Sequence, residues 1–307
     1  MTSAREPRRA VSVLDPEVAK RVRTLTLKAR RAVDGLLAGI HRSPHRGASV
    51  VFVEHREYRP GDDARLLDWR AFARTDRDVV KRFEQETHLR ATLVLDGSGS
   101  MAYRGQDGVC KQEHAATLLA ALAYVLVGQG DAAGVAIVDA EVGATVPPRT
   151  RPAHLDTVAA ALAIAPRRGV STDLGTALSQ VAETAGRRGV VAIASDLLDL
   201  RHGALAPLAH LVTRGHDVVV LHVLHPDEIE LPFRGAARFV GLEGEAPVEA
   251  DADVVRAAYT EEVARFVESC RARCTTAGAR YALARTDEPA EHTLGAILTA
   301  GRRRGWT

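Results

Sequence analysis

The sequence predicts an α/β protein: a doubly wound, mostly parallel sheet with one antiparallel edge hairpin, preceded by a helix and a small β-rich lobe. Three observations carry this. Beyond Leu89, short apolar runs alternate with helical stretches of suitable crossover length. Those runs are apolar almost throughout, as strands are when helices cover both faces of a sheet. Finally, "GVAIVDAEVGATVPP" leaves too few residues between its two β-like pieces for a helical crossover, so those two must form a hairpin.

The first element is a helix from about Asp15 to Ile40. Val18, Val22, Leu25, Ala29, Val33, Leu36 and Ile40 recur at steps of three and four, and Lys and Arg fill the other faces. Asp15-Pro16 supplies an N-cap followed by proline in the first turn, and Gly39 lies near the other end. The arginines read as a solvated face. From His41 to Glu86 the pattern breaks into short β-like pieces, Val50–Val53 and Val79–Phe83, around a turn at Pro60-Gly61-Asp62.

Alternation then sets in. Strands are expected at Ala91–Leu95, Gly134–Asp139, Gly189–Ala194, Asp217–Val223 and Ala279–Ala284. Helices are expected at about 109–128, 152–164, 173–187, 202–214, 251–277 and 290–302. This divides the chain into a charged helical segment (1–44), a small lobe (45–88) and an α/β domain (89–307).

With 307 residues, 46% hydrophobic, 26% charged and a formal net charge of +2, the composition is that of an ordinary soluble globular protein. No apolar run approaches the roughly 20 residues that span a bilayer, and "MTSAREPRRAVSVLDP" lacks the apolar core of a signal peptide. A cytoplasmic location is expected. The 3 cysteines give no disulfide framework, and Cys270 and Cys274, four apart on a helix, read as ordinary thiols because no further zinc ligands stand at matching spacing. The 12 histidines show no metal pattern; His222 and His225 close a strand and read as structural or exposed.

The chemistry concentrates in "LVLDGSGSM", residues 93–101, where an apolar strand ends in Asp96-x-Ser98-x-Ser100. In an open α/β sheet, ligands bind beyond the carboxyl ends of the strands where strand order reverses. A nucleophile elbow needs glycine two before and two after the serine, and Ser98 has Asp96 and Ser100 there. A dinucleotide fingerprint would set Asp96 against a pyrophosphate, and no acid stands at the right distance along the next strand. No Gly-Lys-Ser/Thr follows for a P-loop, and an aspartyl-phosphate enzyme wants an acid where Ser98 stands. A hard-cation site fits better. Mg²⁺ takes about six oxygens, and an Asp-x-Ser-x-Ser turn can aim three of them at one point, its glycines permitting the bend. One carboxylate is too little charge, and "VVAIASDLLDL" ends a second strand at Ser195-Asp196. Between them, "GVSTDLGTAL" places Thr172 just before a helix at the same sheet edge.

Together, Asp96-x-Ser98-x-Ser100, Thr172 and Asp196 resemble the metal-ion-dependent adhesion site of von Willebrand factor A domains, over roughly Leu89 to the C-terminus. The preceding "REYRPGDDARLLDWRAFAR" is similar to the signature of the DUF58 family, bacterial and archaeal proteins that carry such a domain. "GDAAGVAIVD" and "VPPRTRPAHLDTVAAALA" are similar to downstream segments of that family. Many members carry N-terminal transmembrane helices, where this sequence has a charged helix.

The resemblance implies that Ser98 and Ser100 ligate Mg²⁺ (Mn²⁺ or Ca²⁺ as substitutes) directly, that Thr172 binds directly or through water, and that Asp96 and Asp196 supply charge. A cation held mainly by neutral hydroxyls and water retains positive charge for an incoming Asp or Glu carboxylate. The expected function is therefore cation-dependent binding of a protein, with no enzyme activity. The implied partner is a separate MoxR-type AAA+ ATPase or its client, since no Walker motif occurs here. The signature residues Arg56, Tyr58, Gly61, Asp62, Arg65, Asp68, Trp69 and Arg74 read as structural. Asp62, Asp63, Asp68 and Asp76 interleave with the arginines and cancel their field, with Trp69 as a core anchor. The alternative is nucleic-acid binding through the basic and aromatic residues of 56–77.

Overall fold

The computed structural model describes residues 16–42, 55–57, 79–81, 89–139, 142–164, 173–186, 188–199 and 206–301. The chain forms two compact units, one of residues 43–88 and one joining the N-terminal helix to everything from Leu89 onward. Within the smaller unit, β1 (His55–Glu57) pairs antiparallel with β2 (Val79–Lys81), Arg56 opposite Val80. Val50–Val53 lies outside the described residues. So do the signature residues Tyr58, Gly61, Asp62, Arg65, Asp68, Trp69 and Arg74.

The larger unit is built on a six-stranded sheet. Its strands are β3 (Arg90–Asp96), β4 (Ala132–Val138), β5 (Val142–Arg149), β6 (Val190–Ser195), β7 (Asp217–Leu224) and β10 (Arg280–Arg285). The spatial order is β10-β7-β6-β3-β4-β5. All neighbours are parallel except β4 and β5, which form the hairpin expected from their short connection. From β3 the chain first steps outward to β4 and β5, then returns to lay β6 on the other side. The reversal of strand order therefore falls at β3, between β4 and β6.

Strand side chains alternate between two cores. Leu93 and Leu95 of β3 join Val135, Ile137, Ala192, Ala194, Val219 and Leu221 on one face. Val94 joins Ala136, Val138, Val191, Ile193, Val218 and Val220 on the other. The first face is covered by α2 (Lys111–Gly128), α3 (His154–Leu162) and α8 (Ala290–Gly301). The second is covered by α4 (Leu174–Thr184), α5 (Ala206–Thr213) and α7 (Ala252–Thr276). Cys270 and Cys274 are free buried thiols in this second core, and burial pushes Cys270 up to about 12.

The N-terminal helix α1 (Pro16–Arg42) is amphipathic, and its apolar stripe has a destination. Leu25, Ala29, Ala32 and Leu36 enter the core of the first face, against which Val22 and Val33 also pack. The three- and four-residue spacing of the sequence therefore marks a docked face.

Two features were absent from the sequence reading. A short helix, α6 (Pro226–Glu230), follows β7, and a hairpin of β8 (Ala236–Phe239) and β9 (Val248–Asp251) precedes α7. β8 and β9 are short, hold only intermediate and exposed positions and bury no continuous apolar face, so they lack the pattern that reveals core strands. No helix among the described residues is long and apolar enough to cross a membrane.

If α1 is held by its apolar stripe, Leu36→Ala (8% exposed) should lower unfolding free energy by about 2–3 kcal/mol. Leu27→Ala on the same helix (57% exposed) should cost less than about 0.5 kcal/mol. Urea denaturation of the two variants measures the contrast, and equal losses would contradict the docking.

Candidate functional site

Parallel pairing of β3 with β6, with Leu95 opposite Ala194, brings the C-terminal ends of the two strands together at the reversal point. Asp96 and Asp196 follow directly, and both are buried. Asp96 is held from two sides: Oδ1 accepts the Ser98 amide at 2.9 Å, and Oδ2 accepts the Ser195 hydroxyl at 2.5 Å. Gly97 turns the chain by donating its amide to Val138 O at 2.6 Å. The Ser98 and Ser100 hydroxyls lie 3.0 Å apart, and the Ser100 side chain helps hold the Asp196 carboxyl below its ordinary range. Asp96, Ser98, Ser100 and Asp196 thus gather at one edge of the sheet. Thr172 lies outside the described residues; α4 begins two residues later, capped by Asp173, whose carboxylate accepts the Thr176 amide at 2.9 Å.

The loop carrying Asp196 is strained. Leu197 has φ +56°, in the left-handed region that costs a non-glycine residue about 1–2 kcal/mol. Its side chain is buried in the second core, and its amide donates to Ser195 Oγ at 3.0 Å, so packing and a hydrogen bond together hold the conformation. Below it, His222 Nε2 lies 2.9 Å from the Asp196 carbonyl. A carbonyl can only accept, so Nε2 carries the proton and Nδ1 accepts from the Tyr281 hydroxyl at 2.7 Å. Burial pushes His222 down to about 4, in keeping with this neutral ring. Of the two alternatives open for this histidine, structural or exposed, its full burial selects the first.

Lys111, in the first turn of α2, was not singled out from the sequence. Its side chain is fully buried, and its ammonium bonds Asp196 Oδ2 at 2.7 Å and Glu228 Oε1 at 2.6 Å. Glu228 belongs to α6 and is fixed further by accepting the His225 amide at 2.9 Å. A cation in the first helical turn opposes the helix dipole, so a lysine opening the apolar run "KQEHAATLLAALAYVLVG" is a sequence anomaly that needs an acidic partner.

The charges divide unequally. Burial raises the Asp196 pKa, but the adjacent Lys111 ammonium and its hydrogen bond outweigh burial and hold Asp196 below the ordinary carboxylate range. At Asp96 the balance runs the other way: burial first, and then the neighbouring Asp196 charge, push it from 3.8 to about 6. At Glu228 burial prevails over Lys111 and the shift is upward. Lys111 thus serves two carboxylates at once, those of Asp196 and Glu228. Among the described residues, no three His, Cys, Asp or Glu side chains converge as a metal-binding group. The oxygens gathered here come from two carboxylates and two hydroxyls, a hard donor set suited to Mg²⁺, Mn²⁺ or Ca²⁺ and unsuited to soft metals.

Sequence comparison bears on this arrangement. The family described as "protein of unknown function DUF58" matches residues 54–268, well over half of the chain. The chain belongs to the DUF58 family. An uncharacterized protein of Mycobacterium tuberculosis (strain ATCC 25618 / H37Rv) is 31% identical to this DUF58 protein over 268 residues, covering 84% of each chain. An uncharacterized protein of Mycobacterium avium is 32% identical over 141 residues, covering 43% of this chain and 82% of its own. Among solved structures, BatB of Bacteroides thetaiotaomicron aligns with TM-score 0.47 and 15% identity over 70% of this chain and 99% of its own. The SpRpn10 VWA domain aligns with TM-score 0.39 and 9% identity over 67% and 94%.

Two outcomes test the electrostatics. Lys111→Met leaves buried acids unpaired and should destabilise the protein in EDTA by about 3–5 kcal/mol, measured by denaturant unfolding; an unchanged midpoint would refute the charge assignment. For Asp96, the folded-state pKa of about 6 lies above the ordinary 3.8, so the folded protein binds the extra proton. That contribution to stability is complete below the ordinary value and is lost as pH rises through about 6. In EDTA, Asp96→Asn should therefore gain stability relative to wild type as pH is raised from about 4 to about 7, and parallel pH profiles would overturn the shift.

Proposed function

We propose that this DUF58 protein is a divalent-cation-dependent protein-interaction module, its binding point at the C-terminal ends of β3 and β6. The supporting observation is the buried pair Asp96 and Asp196 at adjoining strand ends, with the Ser98 and Ser100 hydroxyls 3.0 Å apart on the turn after Asp96. In this reading Asp96, Ser98, Ser100, Thr172 and Asp196 hold Mg²⁺, with Mn²⁺ or Ca²⁺ able to substitute. When bound, the cation supplies a Lewis-acidic position for an Asp or Glu carboxylate of a protein partner.

The residues around it serve holding and orienting roles. Ser195 and the Ser98 amide fix the Asp96 carboxylate, and Lys111 fixes that of Asp196. Described contacts of Ser98 and Ser100 run to each other and to acids, with no imidazole base among them, which favours binding over acyl transfer. By resemblance within the family, the partner is a separate MoxR-type AAA+ ATPase or its client.

The pure protein should take up one equivalent of Mn²⁺ in calorimetry, and Asp96→Ala should take up none. Affinity capture from a native lysate should yield protein companions in magnesium that disappear in EDTA and with Asp96→Ala. Absence of cation uptake by the wild-type protein, or identical companions in magnesium and EDTA, would end this reading.

A further inference from the structure

The hairpin inserted between α6 and α7 ends on the serine turn. At its base it is firmly tied. Gly235 donates its amide to Asp253 Oδ2 at 2.8 Å, the Ala252 amide donates to Gly235 O at 2.8 Å, and Arg256 Nε donates to Leu231 O at 3.0 Å. Phe233 and Phe239 pack edge to face with centroids 6.0 Å apart. The tip, residues 240–247 between β8 and β9, reaches the turn that holds Ser98 and Ser100. There Glu243 Oε1 accepts the Ser100 backbone amide at 3.1 Å.

A second observation shows how closely the tip is seated. A Cβ on Gly99 would lie 2.4 Å from Leu242 O and 3.0 Å from Glu243 Cγ. Backbone therefore lies against backbone at the middle of the Asp-Gly-Ser-Gly-Ser turn, and only glycine permits that approach. The tip is bent inward by its own acid: the Glu243 amide donates to Glu245 Oε2 at 3.0 Å, and Gly244 takes φ +101°. Glu243 is half-buried, whereas Gly244 and Glu245 are exposed.

We propose that Glu243 occupies the position where a partner's carboxylate docks, so that the site is capped by the chain's own acid and a partner must displace the hairpin tip. This rests on the cation-dependent binding reading. The chemistry of the occupant is already specified: a glutamate-length carboxylate on an exposed loop, accepting the Ser100 amide beside the Ser100 hydroxyl. A partner's Asp or Glu competes for the same donor, and its apparent affinity falls by the fraction of time the tip is seated.

The test uses the full-length protein loaded with Mn²⁺ and N-acetyl-L-glutamate as carboxylate probe, followed by calorimetry. Glu243→Ala and Glu243→Gln should bind the probe about tenfold more tightly than wild type, the gain expected when one charge-assisted hydrogen bond no longer competes. Equal or weaker binding by both variants overturns the proposal. If the wild-type protein takes up no Mn²⁺, the cation reading fails on its own, and the competition is then read in metal-free protein from the Ser100 amide resonance during acetate titration. A shift in Glu243→Ala but not in wild type upholds the cap, while a shift in neither, or an equal shift in both, refutes it.

Discussion

Because β3 and β6 run parallel and in register, whatever follows one strand meets whatever follows the other. Here that means two acids beneath the protein surface, close enough to perturb each other. Water would normally solvate such charges, and burial removes it. Much of the surrounding architecture can be understood as the fold's response. Ser195 and the Ser98 amide address Asp96, a lysine from α2 addresses Asp196, and α6 arrives with Glu228 to share that lysine. One buried ammonium is thereby shared between the carboxylates of Asp196 and Glu228.

Lys111 also changes how the site is wired to the rest of the molecule. Its ammonium joins the loop after β6 to the helix after β7, and α6 leads directly into the hairpin whose tip rests on Ser100. Tyr103, just past the serine turn, donates its hydroxyl to Asp227 of the same short helix at 2.9 Å, and the Tyr259 hydroxyl of α7 donates to Glu228 O at 2.8 Å. The serine turn, the second acidic loop and the inserted hairpin are therefore joined by continuous polar contacts. Such a network can favour one arrangement of all three together.

How much of this could be read from the sequence depended on which physical signal each part leaves. The core strands and their helices announced themselves because continuous apolar runs and three- to four-residue spacing are direct consequences of burial on two faces. The β4–β5 hairpin followed from the length of its connection. Asp96, Ser98, Ser100 and Asp196 stood out because acids and hydroxyls after apolar strands are costly anomalies, and the structure brings these four to one sheet edge; Thr172 lies outside the described residues. Lys111 was overlooked because a lone lysine looks solvated until the fold covers it, although its place in the first turn of an apolar helix ran against the dipole. Glu243 left no signal at all. Its contact with Ser100 spans 143 residues and is made by a hairpin with no apolar face to betray it.

Leu197 has a consequence that reaches beyond its own torsion angle. A glycine would adopt that backbone without penalty, yet the isobutyl group is buried in the second core. The loop is sprung, and the plug that keeps it sprung is a piece of the hydrophobic interior. Asp196 can therefore be released toward a relaxed geometry only by withdrawing that plug. Loosening of the packing behind the sheet and displacement of the acid at its rim become one event, so a single hydrophobic side chain ties the interior to the loop above it.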